Sequence, residues 1–203
     1  MAERQDGTGA RCGAQKGRTV FLTGFMGCGK STVGRCLARR LSLPFMDTDI
    51  RIEQEQKKSI SDIFAQEGEE AFRRLETESL SALKRKGLRQ VVSTGGGLPL
   101  REENRRLMKE AGTVVFLRVR PETVYQRLRG DTTRPLLQKE DPEAEIRRLL
   151  AERTPLYEEA ADLIVDADDK TPEELAETVA AALFPGFPDG PAAISMEERK
   201  KKA

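Results

Sequence analysis

The segment VFLTGFMGCGKST, residues 20–32, decides the fold of this chain. Its apolar start predicts a buried strand, and the residues from Gly24 to Ser31 match the pattern G-x-x-x-x-G-K-[ST] at every fixed position. Glycines in such a loop adopt conformations that a Cβ would forbid, so successive N–H groups converge on phosphate oxygens. The following helix directs its positive end at the same anion. The segment therefore predicts a phosphate-binding loop. The alternative, a glycine-rich turn with a chance lysine, is disfavoured by the complete match.

Length and charge limit what the chain can be. With 203 residues, it is expected to form one domain that is large enough to bury a core. Lys and Arg number 35 against 34 Asp and Glu, and the net charge of +1 provides no field that would attract nucleic acid or a membrane surface. The apolar runs are too short to span a membrane, and the N-terminus lacks the apolar core of a secretory signal. We therefore expect a cytoplasmic protein without nucleic-acid or membrane partners.

Two residue types restrict the chemistry. The chain contains no histidine, so any proton transfer must involve a carboxylate, lysine, tyrosine or water. Its three cysteines form no C-x-x-C pair, and an odd number without an export signal is typical of reduced thiols. Cys28 stands at the start of the helix after the phosphate loop, where N–H dipoles and a neighbouring ammonium favour a reactive thiolate. Two interpretations remain open: a reactive thiol that reagents modify ahead of Cys36, or an inert side chain that fills the loop.

The order of elements predicts the fold class. Five short strands alternate with helices, which predicts a three-layer α/β/α sandwich with a five-stranded parallel sheet. We predict strands at 19–22, 44–46, 91–93, 113–119 and 162–165.

The helical patterns between the strands are less regular. Helical pieces are predicted at 50–56 and 59–66, and Gly68 separates them from a helix at 69–86. A later helix is predicted to end at Glu152, with a separate short helical stretch around Tyr157. Residues 1–17 resemble a disordered leader, residues 18–184 form the predicted domain, and residues 185–203 form a basic flexible tail.

Acidic residues supply the next clue. The strand at 91–93 ends without an acid that could hold a metal ion, so another carboxylate must serve. Asp47 and Asp49 follow the second strand and could face one crevice at the carboxyl end of the sheet; a helix cap is an equally weighted alternative. Arg73 and Glu76 lie one helical turn apart and can share a face, although an exposed ion pair there would contribute little.

Seven motifs follow one another in an order that closely resembles the shikimate kinase family. They are G-x-x-G-x-G-K-S-T, F-M-D-T-D, S-I-x-D-I-F, G-E-x-x-F-R-x-x-E, T-G-G-G, T-x-R-P-L-L and R-x-P-L-Y. The likeness runs from about Arg18 to Leu183. It implies a fold of the P-loop kinase type and transfer of the ATP γ-phosphoryl group to the 3-hydroxyl of shikimate, in aromatic amino-acid biosynthesis. We expect a monomer.

The resemblance implies a nucleotide side of the site. Lys30 would bridge the β- and γ-phosphates, Ser31 would bind Mg²⁺, and Asp47 would hold that ion through water. Arg134, on a lid at about 130–140, would close over ATP, and Arg127 would lie against adenine. Lys170 stands where the family often has an arginine, which leaves stacking on the base open. The implied ATP-binding residues are Gly27, Cys28, Gly29, Lys30, Ser31, Thr32, Arg127, Arg134 and Lys170.

The resemblance also implies a substrate side, carried by helices at about 50–86. Asp49 would accept hydrogen bonds from substrate hydroxyls and is the candidate base, so that Lys30, Asp49 and Arg134 form the catalytic set. A guanidinium grips a carboxylate through a planar fork. The implied substrate-binding residues are Asp49, Phe64, Phe72, Arg73, Glu76, Gly95, Gly96, Gly97 and Arg153. Of these, Gly97 and its neighbours would offer backbone N–H groups to a substrate hydroxyl.

Two alternatives remain open. A kinase for another small polyol acid such as gluconate would keep the phosphate loop but has no evident need for Arg73, Gly97 and Arg153 together. A catalytically dead nucleotide-binding regulatory module is disfavoured by four intact residues, Lys30, Asp47, Asp49 and Arg134.

Overall fold

The computed structural model describes residues 19–129 and 141–185. Within them lies a five-stranded sheet in the order β2-β3-β1-β4-β5, and every neighbouring pair is parallel. The sequence-based predictions for the leader, the lid and the tail from residue 186 onward fall outside these ranges. The strands are β1 Thr19–Thr23, β2 Phe45–Asp47, β3 Val91–Ser93, β4 Gly112–Arg118 and β5 Leu163–Asp166.

Helices connect the strands and cover both faces of the sheet. The predicted α/β class with a five-stranded parallel sheet is therefore confirmed. Among the described residues, none of the helices combines the length and apolar character needed to cross a bilayer. The helices are α1 Lys30–Leu41, α2 Thr48–Gln56, α3 Ile60–Lys86, α4 Glu102–Ala111, α5 Pro121–Leu128, α6 Pro142–Ala160 and α7 Pro172–Leu183, with a 3₁₀ turn at Leu98–Leu100.

Alternation along the central strand divides the core into two layers. Every residue of β1 is buried, as expected for a parallel strand between two others. Phe21 pairs in register with Val92 and Val114, and these three side chains belong to one apolar cluster. Their neighbours Leu22 and Val115 belong to the cluster on the opposite face. Burial of each such side chain contributes about 1.5–3 kcal/mol to the free energy of folding. Apolar packing on both faces therefore stabilises the sheet.

Two helices differ from their predicted boundaries. Gly68 has φ 82° and ψ 168° within α3, so the predicted break is a kink inside one longer element. Helix α6 continues through Pro155, where two separate pieces were predicted. A proline removes one helical hydrogen bond. Tyr157 and Ala160, both fully buried beyond it, hold the last turns against the core, so tertiary packing outweighs that loss.

Candidate active site

The loop after β1 has the backbone geometry of a phosphate cradle. Gly24 has φ 141°, and a Cβ built there would lie 2.6 Å from the Leu117 carbonyl oxygen. Gly29 is the N-cap of α1 with φ 97°, a left-handed conformation that glycine adopts without penalty. Substitution at either position would disturb the loop. The first N–H groups of α1 lie at the end of this loop. Because they have no partner within the helix, they can bind an anion.

Lys30 is already held at this loop. Its Nζ donates to the carbonyl oxygens of Gly24 and Phe25, both at 2.9 Å, and lies 3.8 Å from Cys28 Sγ. An ammonium group has three donors, so it can exchange these two carbonyl partners for phosphate oxygens. The charge is thus placed before any nucleotide binds.

The structure contradicts the idea of an accessible thiol at Cys28. Its side chain is fully buried, whereas that of Cys36 is 8% exposed. A Cβ at Gly24 would lie 3.0 Å from Cys28 Sγ, so the thiol fills the space beneath the loop. Accessibility therefore speaks against a thiol that reagents modify ahead of Cys36. The interpretation of an inert filler is favoured.

Ser31, Asp47 and Ser93 bring three oxygen-bearing side chains together beside the loop. Ser31 Oγ donates to Asp47 Oδ2 at 2.6 Å and lies 3.1 Å from Ser93 Oγ. The other carboxylate oxygen of Asp47 accepts from the N–H groups of Asp49 and Ile50, which begins α2. Asp47 is thus a helix cap and a partner of Ser31 at once. Ser93 was not predicted, because only the pairing of β3 with β1 and β2 brings it here.

These donors fit a magnesium ion. Hydroxyl and carboxylate oxygens are the ligands that Mg²⁺ prefers, and in kinases it is held by few side chains together with water and phosphate. Within 19–129 and 141–185, no group of three or more Cys, Asp or Glu side chains forms a metal cluster. A divalent ion here would therefore depend on the bound nucleotide for most of its ligands.

Two buried carboxyl groups, those of Asp49 and Glu76, lie near the candidate magnesium site. Glu76 is fully buried, and its Oε2 accepts from Arg73 Nη1 at 2.8 Å. Burial raises the pKa of Glu76 to about 7, although the Arg73 guanidinium acts in the opposite direction. Burial, together with the charge of Asp47, also raises the pKa of Asp49. Asp49 Oδ1 and Glu76 Oε1 are both buried and find no hydrogen-bond partner among the described residues. Such orphaned acceptors indicate where a ligand's hydroxyl groups would donate.

The turn at residues 95–97, which follows β3, packs so closely against the side chains of Asp49, Glu76 and Arg73 that a Cβ at its first or last glycine would collide with them. A Cβ at Gly95 would lie 2.5 Å from Asp49 Oδ1 and 2.9 Å from Glu76 Oε1. A Cβ at Gly97 would lie 2.6 Å from Arg73 Nη2. The turn is fixed from behind, because the Gly95 N–H donates to the buried Thr48 hydroxyl at 2.9 Å. Thr48 is another functional candidate that sequence reasoning missed.

Arg73 has a second, exposed partner. Its Nε and Nη2 donate to Glu69 Oε1 at 3.2 and 2.8 Å. The side chain of Glu69 is 64% exposed, whereas that of Arg73 is only 15% exposed. Beneath the guanidinium, the Phe72 ring centroid lies 5.6 Å from Arg73 Cζ, and the Phe64 ring lies 5.0 Å from that of Phe72. The two predicted phenylalanines therefore line the same wall.

Helix α6 contributes from the other side. Arg153 Cζ lies 5.7 Å from the Phe25 ring centroid, and its buried Nε has no partner among the described residues. Tyr157, one helical turn further on, donates its hydroxyl to the Gly96 carbonyl oxygen at 2.7 Å. The structure thus places the predicted Arg153 beside the phosphate loop. It also adds Tyr157, whose contact could not be inferred from local sequence.

The predicted adenine residues are only partly brought together. Arg127 donates to the Ala167 carbonyl at 3.0 Å and, at longer range, to Gly27 O at 3.4 Å. It therefore links the phosphate loop to the segment that leads to α7. Lys170 is exposed three residues beyond Ala167. Arg134 lies outside the described residues.

The fold and the loop define a class of protein. A five-stranded parallel sheet with a G-x-x-x-x-G-K-S loop between its central strand and a helix is the architecture of the P-loop kinases. A model of the family described as shikimate kinase matches residues 26–184. The chain belongs to the shikimate kinase family.

Individual relatives agree with this assignment. A shikimate kinase of Bacillus mycoides is 44% identical over 158 residues, which cover 78% of this chain and 93% of the relative. The solved shikimate kinase of Acinetobacter baumannii in complex with shikimate is 39% identical, with a TM-score of 0.76 over 82% of this chain and 92% of that one. The enzyme of Aquifex aeolicus is 41% identical, with a TM-score of 0.72 over 81% and 95% of the two chains. A sugar kinase at 18% identity and a TM-score of 0.52 shows the fold alone.

The buried Glu76 predicts a specific pH dependence of stability. Its pKa rises from an ordinary 4.5 to about 7 on folding, so between these values the folded protein binds more protons than the unfolded chain. The contribution of Glu76 to the free energy of unfolding therefore falls as the pH rises through this window. Between about pH 5 and about pH 8, the free energy of unfolding of the wild type should fall by up to about 2–3 kcal/mol relative to that of Glu76→Gln. Urea denaturation of both proteins across that range measures this difference; parallel stability curves would contradict it.

Proposed function

We propose that this protein transfers the γ-phosphoryl group of ATP to the 3-hydroxyl of shikimate, giving ADP and 3-phosphoshikimate. One observation carries the proposal: a glycine turn, two carboxyl groups with orphaned oxygens and an arginine fork meet beside a phosphate loop. This combination suits an acceptor with several hydroxyl groups and a carboxylate. The relative solved with shikimate supports the same assignment.

On the nucleotide side, Lys30 leaves the Gly24 and Phe25 carbonyls to bind the β- and γ-phosphates. Ser31 and Asp47 would hold Mg²⁺, with Ser93 supporting the Ser31 hydroxyl. When bound, this ion neutralises the charge that develops on the transferred group. Gly27, Cys28, Gly29 and Thr32 complete the loop.

The base region and the lid remain proposals of the same kind. Arg127, which already bridges Gly27 and Ala167, would lie against adenine. Lys170 would contribute a charge near the base but stacks less well than arginine. Arg134 would close over the phosphates and exclude water from the reaction.

On the acceptor side, Asp49 accepts a hydrogen bond from the reacting hydroxyl and takes its proton as the phosphoryl group arrives. With no histidine in the chain, a carboxylate of raised pKa is suited to this task. Glu76 accepts from a second hydroxyl and holds Arg73. Arg73 and Arg153 bind the carboxylate, and Phe64 and Phe72 wall the ring.

An assay of ATP turnover with shikimate, with gluconate and without an acceptor tests the proposal. We expect ADP to form together with phosphorylated shikimate, and little turnover in the other two reactions. Faster turnover with gluconate would indicate instead a kinase for another small polyol acid. A folded protein that binds ATP but turns over neither acceptor would indicate a regulatory module. We also expect a monomeric, cytoplasmic protein, which sedimentation and fractionation would check.

The fork of Arg73 predicts a loss of acceptor binding in Arg73→Lys. An ammonium keeps the charge but cannot make two parallel hydrogen bonds, so about 1–3 kcal/mol of binding should be lost. The KM for shikimate should rise by roughly 5- to 150-fold, with the KM for ATP little changed. Arg74→Lys, at the exposed neighbouring position, is the matched control and should behave as wild type. An unchanged KM for shikimate in Arg73→Lys would sink the proposed carboxylate clamp.

The glycine turn predicts two different outcomes for one added methyl group, depending on which glycine carries it. In Gly95→Ala and Gly97→Ala, the new Cβ collides with the side-chain ends of Asp49, Glu76 or Arg73, and displacing these costs less stability than displacing backbone. Both variants should fold, yet raise the KM for shikimate by about 10-fold or more, since each misplaces a binding group. In Gly96→Ala, the nearest atom is Gly24 O at 3.5 Å, an ordinary contact. This control should stay closest to wild type; equal losses in all three would argue against the proposed orientation of the turn.

A further inference from the structure

Tyr157 is a buried residue to which the proposed mechanism gives no role. Its side chain is completely buried on α6, and its hydroxyl donates to the Gly96 carbonyl oxygen at 2.7 Å. Burial raises the pKa of Tyr157, so the hydroxyl stays protonated and remains a donor at ordinary pH. The chain has only one other tyrosine, Tyr125.

The hydrogen bond from Tyr157 to the Gly96 carbonyl also sets the direction of the Gly97 N–H. The peptide that joins Gly96 to Gly97 is planar and trans, so its C=O and N–H point in opposite directions. By holding the carbonyl on one side, Tyr157 directs the Gly97 N–H to the other side. A donor bound to the carbonyl also polarises the peptide, which strengthens its N–H as a hydrogen-bond donor.

The adjacent peptide groups of the turn are already engaged. Gly95 N–H donates to Thr48 Oγ1 at 2.9 Å, and Leu98 N–H donates to Gly95 O at 3.1 Å. The Gly97 carbonyl accepts from Leu100 N–H at 3.1 Å. Across the described ranges 19–129 and 141–185, the Gly97 N–H has no acceptor. One donor of this turn is therefore held in a defined direction and left for a ligand.

The Gly97 side of the turn faces the acceptor site. A Cβ built at Gly97 would lie 2.6 Å from Arg73 Nη2 and 2.7 Å from Arg73 Cζ. On the proposed function, that arginine binds the carboxylate of a polyhydroxylated acid. On the proposed function, the hydroxyl contact that the family resemblance implies for the Gly97 N–H would be made beside this arginine.

We propose that Tyr157 is a positioning residue that holds the Gly96–Gly97 peptide so that its N–H donates to one hydroxyl of the acceptor. The proposal rests on the proposed function for the identity of that acceptor. Tyr157 itself does not touch the substrate. Its effect passes through a single backbone amide.

Tyr157→Phe tests the role directly, because it removes only the hydroxyl oxygen. We expect the KM for shikimate to rise about 3- to 10-fold, as for a weakened neutral hydrogen bond, with the KM for ATP nearly unchanged. The thermal midpoint should fall by about 2–4 °C, because the Gly96 carbonyl loses its donor. Tyr125→Phe is the matched control and should leave both KM values as in wild type. Wild-type kinetics in Tyr157→Phe, while shikimate is still phosphorylated, would overturn this inference and leave the proposed function standing. Absence of shikimate turnover in the wild type would instead refute the proposed function.

Monodeoxy analogues of shikimate separate positioning from general packing. If Tyr157 acts through the Gly97 N–H, the penalty of Tyr157→Phe should disappear for the one analogue that lacks the contacted hydroxyl. An equal penalty for every analogue, or one that vanishes only when the carboxylate is removed, would show that Tyr157 acts through packing or through Arg153. Should Tyr157→Phe fail to fold, the amide resonance of Gly97 in the wild type decides the question. It should shift on addition of shikimate and not of ADP alone, and no shift would overturn the proposal.

Discussion

Parallel pairing of β1 with β3 and of β3 with β2 is the constraint on which the site depends. Parallel strands end at one edge of the sheet, so the segments that follow them meet there. Ser31 and Asp47 are 16 residues apart, and Thr48 and Gly95 are 47 apart, yet each pair is hydrogen-bonded. A shift of β2 by one residue would turn Asp47 to the other face of the sheet and separate it from Ser31. The register of short strands therefore sets the distance between the two halves of the site.

The acceptor side is built from groups that are costly to bury. Glu76 is wholly buried, and removal of one member of a buried ion pair is expensive because the other charge remains. Arg73 satisfies one of its oxygens, while the other, like Asp49 Oδ1, has no partner within the described part of the chain. A ligand with several hydroxyl groups would satisfy both oxygens. The fold thus tolerates an incomplete hydrogen-bond network that such a ligand would complete, which is the usual exchange of stability for function.

Sequence reasoning succeeded where the signal is local. The phosphate loop needs glycines at fixed spacing, and Gly24, Gly27 and Gly29 all have positive φ in the structure. It failed where a contact joins distant segments: Ser93, Thr48 and Tyr157 carry no local signature of their roles. Burial produced the same difficulty for Cys28, because the position in the loop was readable but the direction of the side chain was not. Tertiary packing also carried α6 through Pro155, against the local rule.

Arg73 has two carboxylate partners, Glu69 and Glu76, and they differ in exposure. Glu69 is largely exposed, and an ion pair of that kind contributes about 0–1 kcal/mol, so a substrate carboxylate can displace it at little cost. Glu76 is buried and keeps its hydrogen bond to Nη1, which fixes the guanidinium plane while the Nε and Nη2 edge changes partner. The resting protein therefore holds the fork assembled with a carboxylate already on it. On the proposed function, acceptor binding would then exchange one carboxylate for another, and little side-chain entropy would remain to be lost when the acceptor arrives.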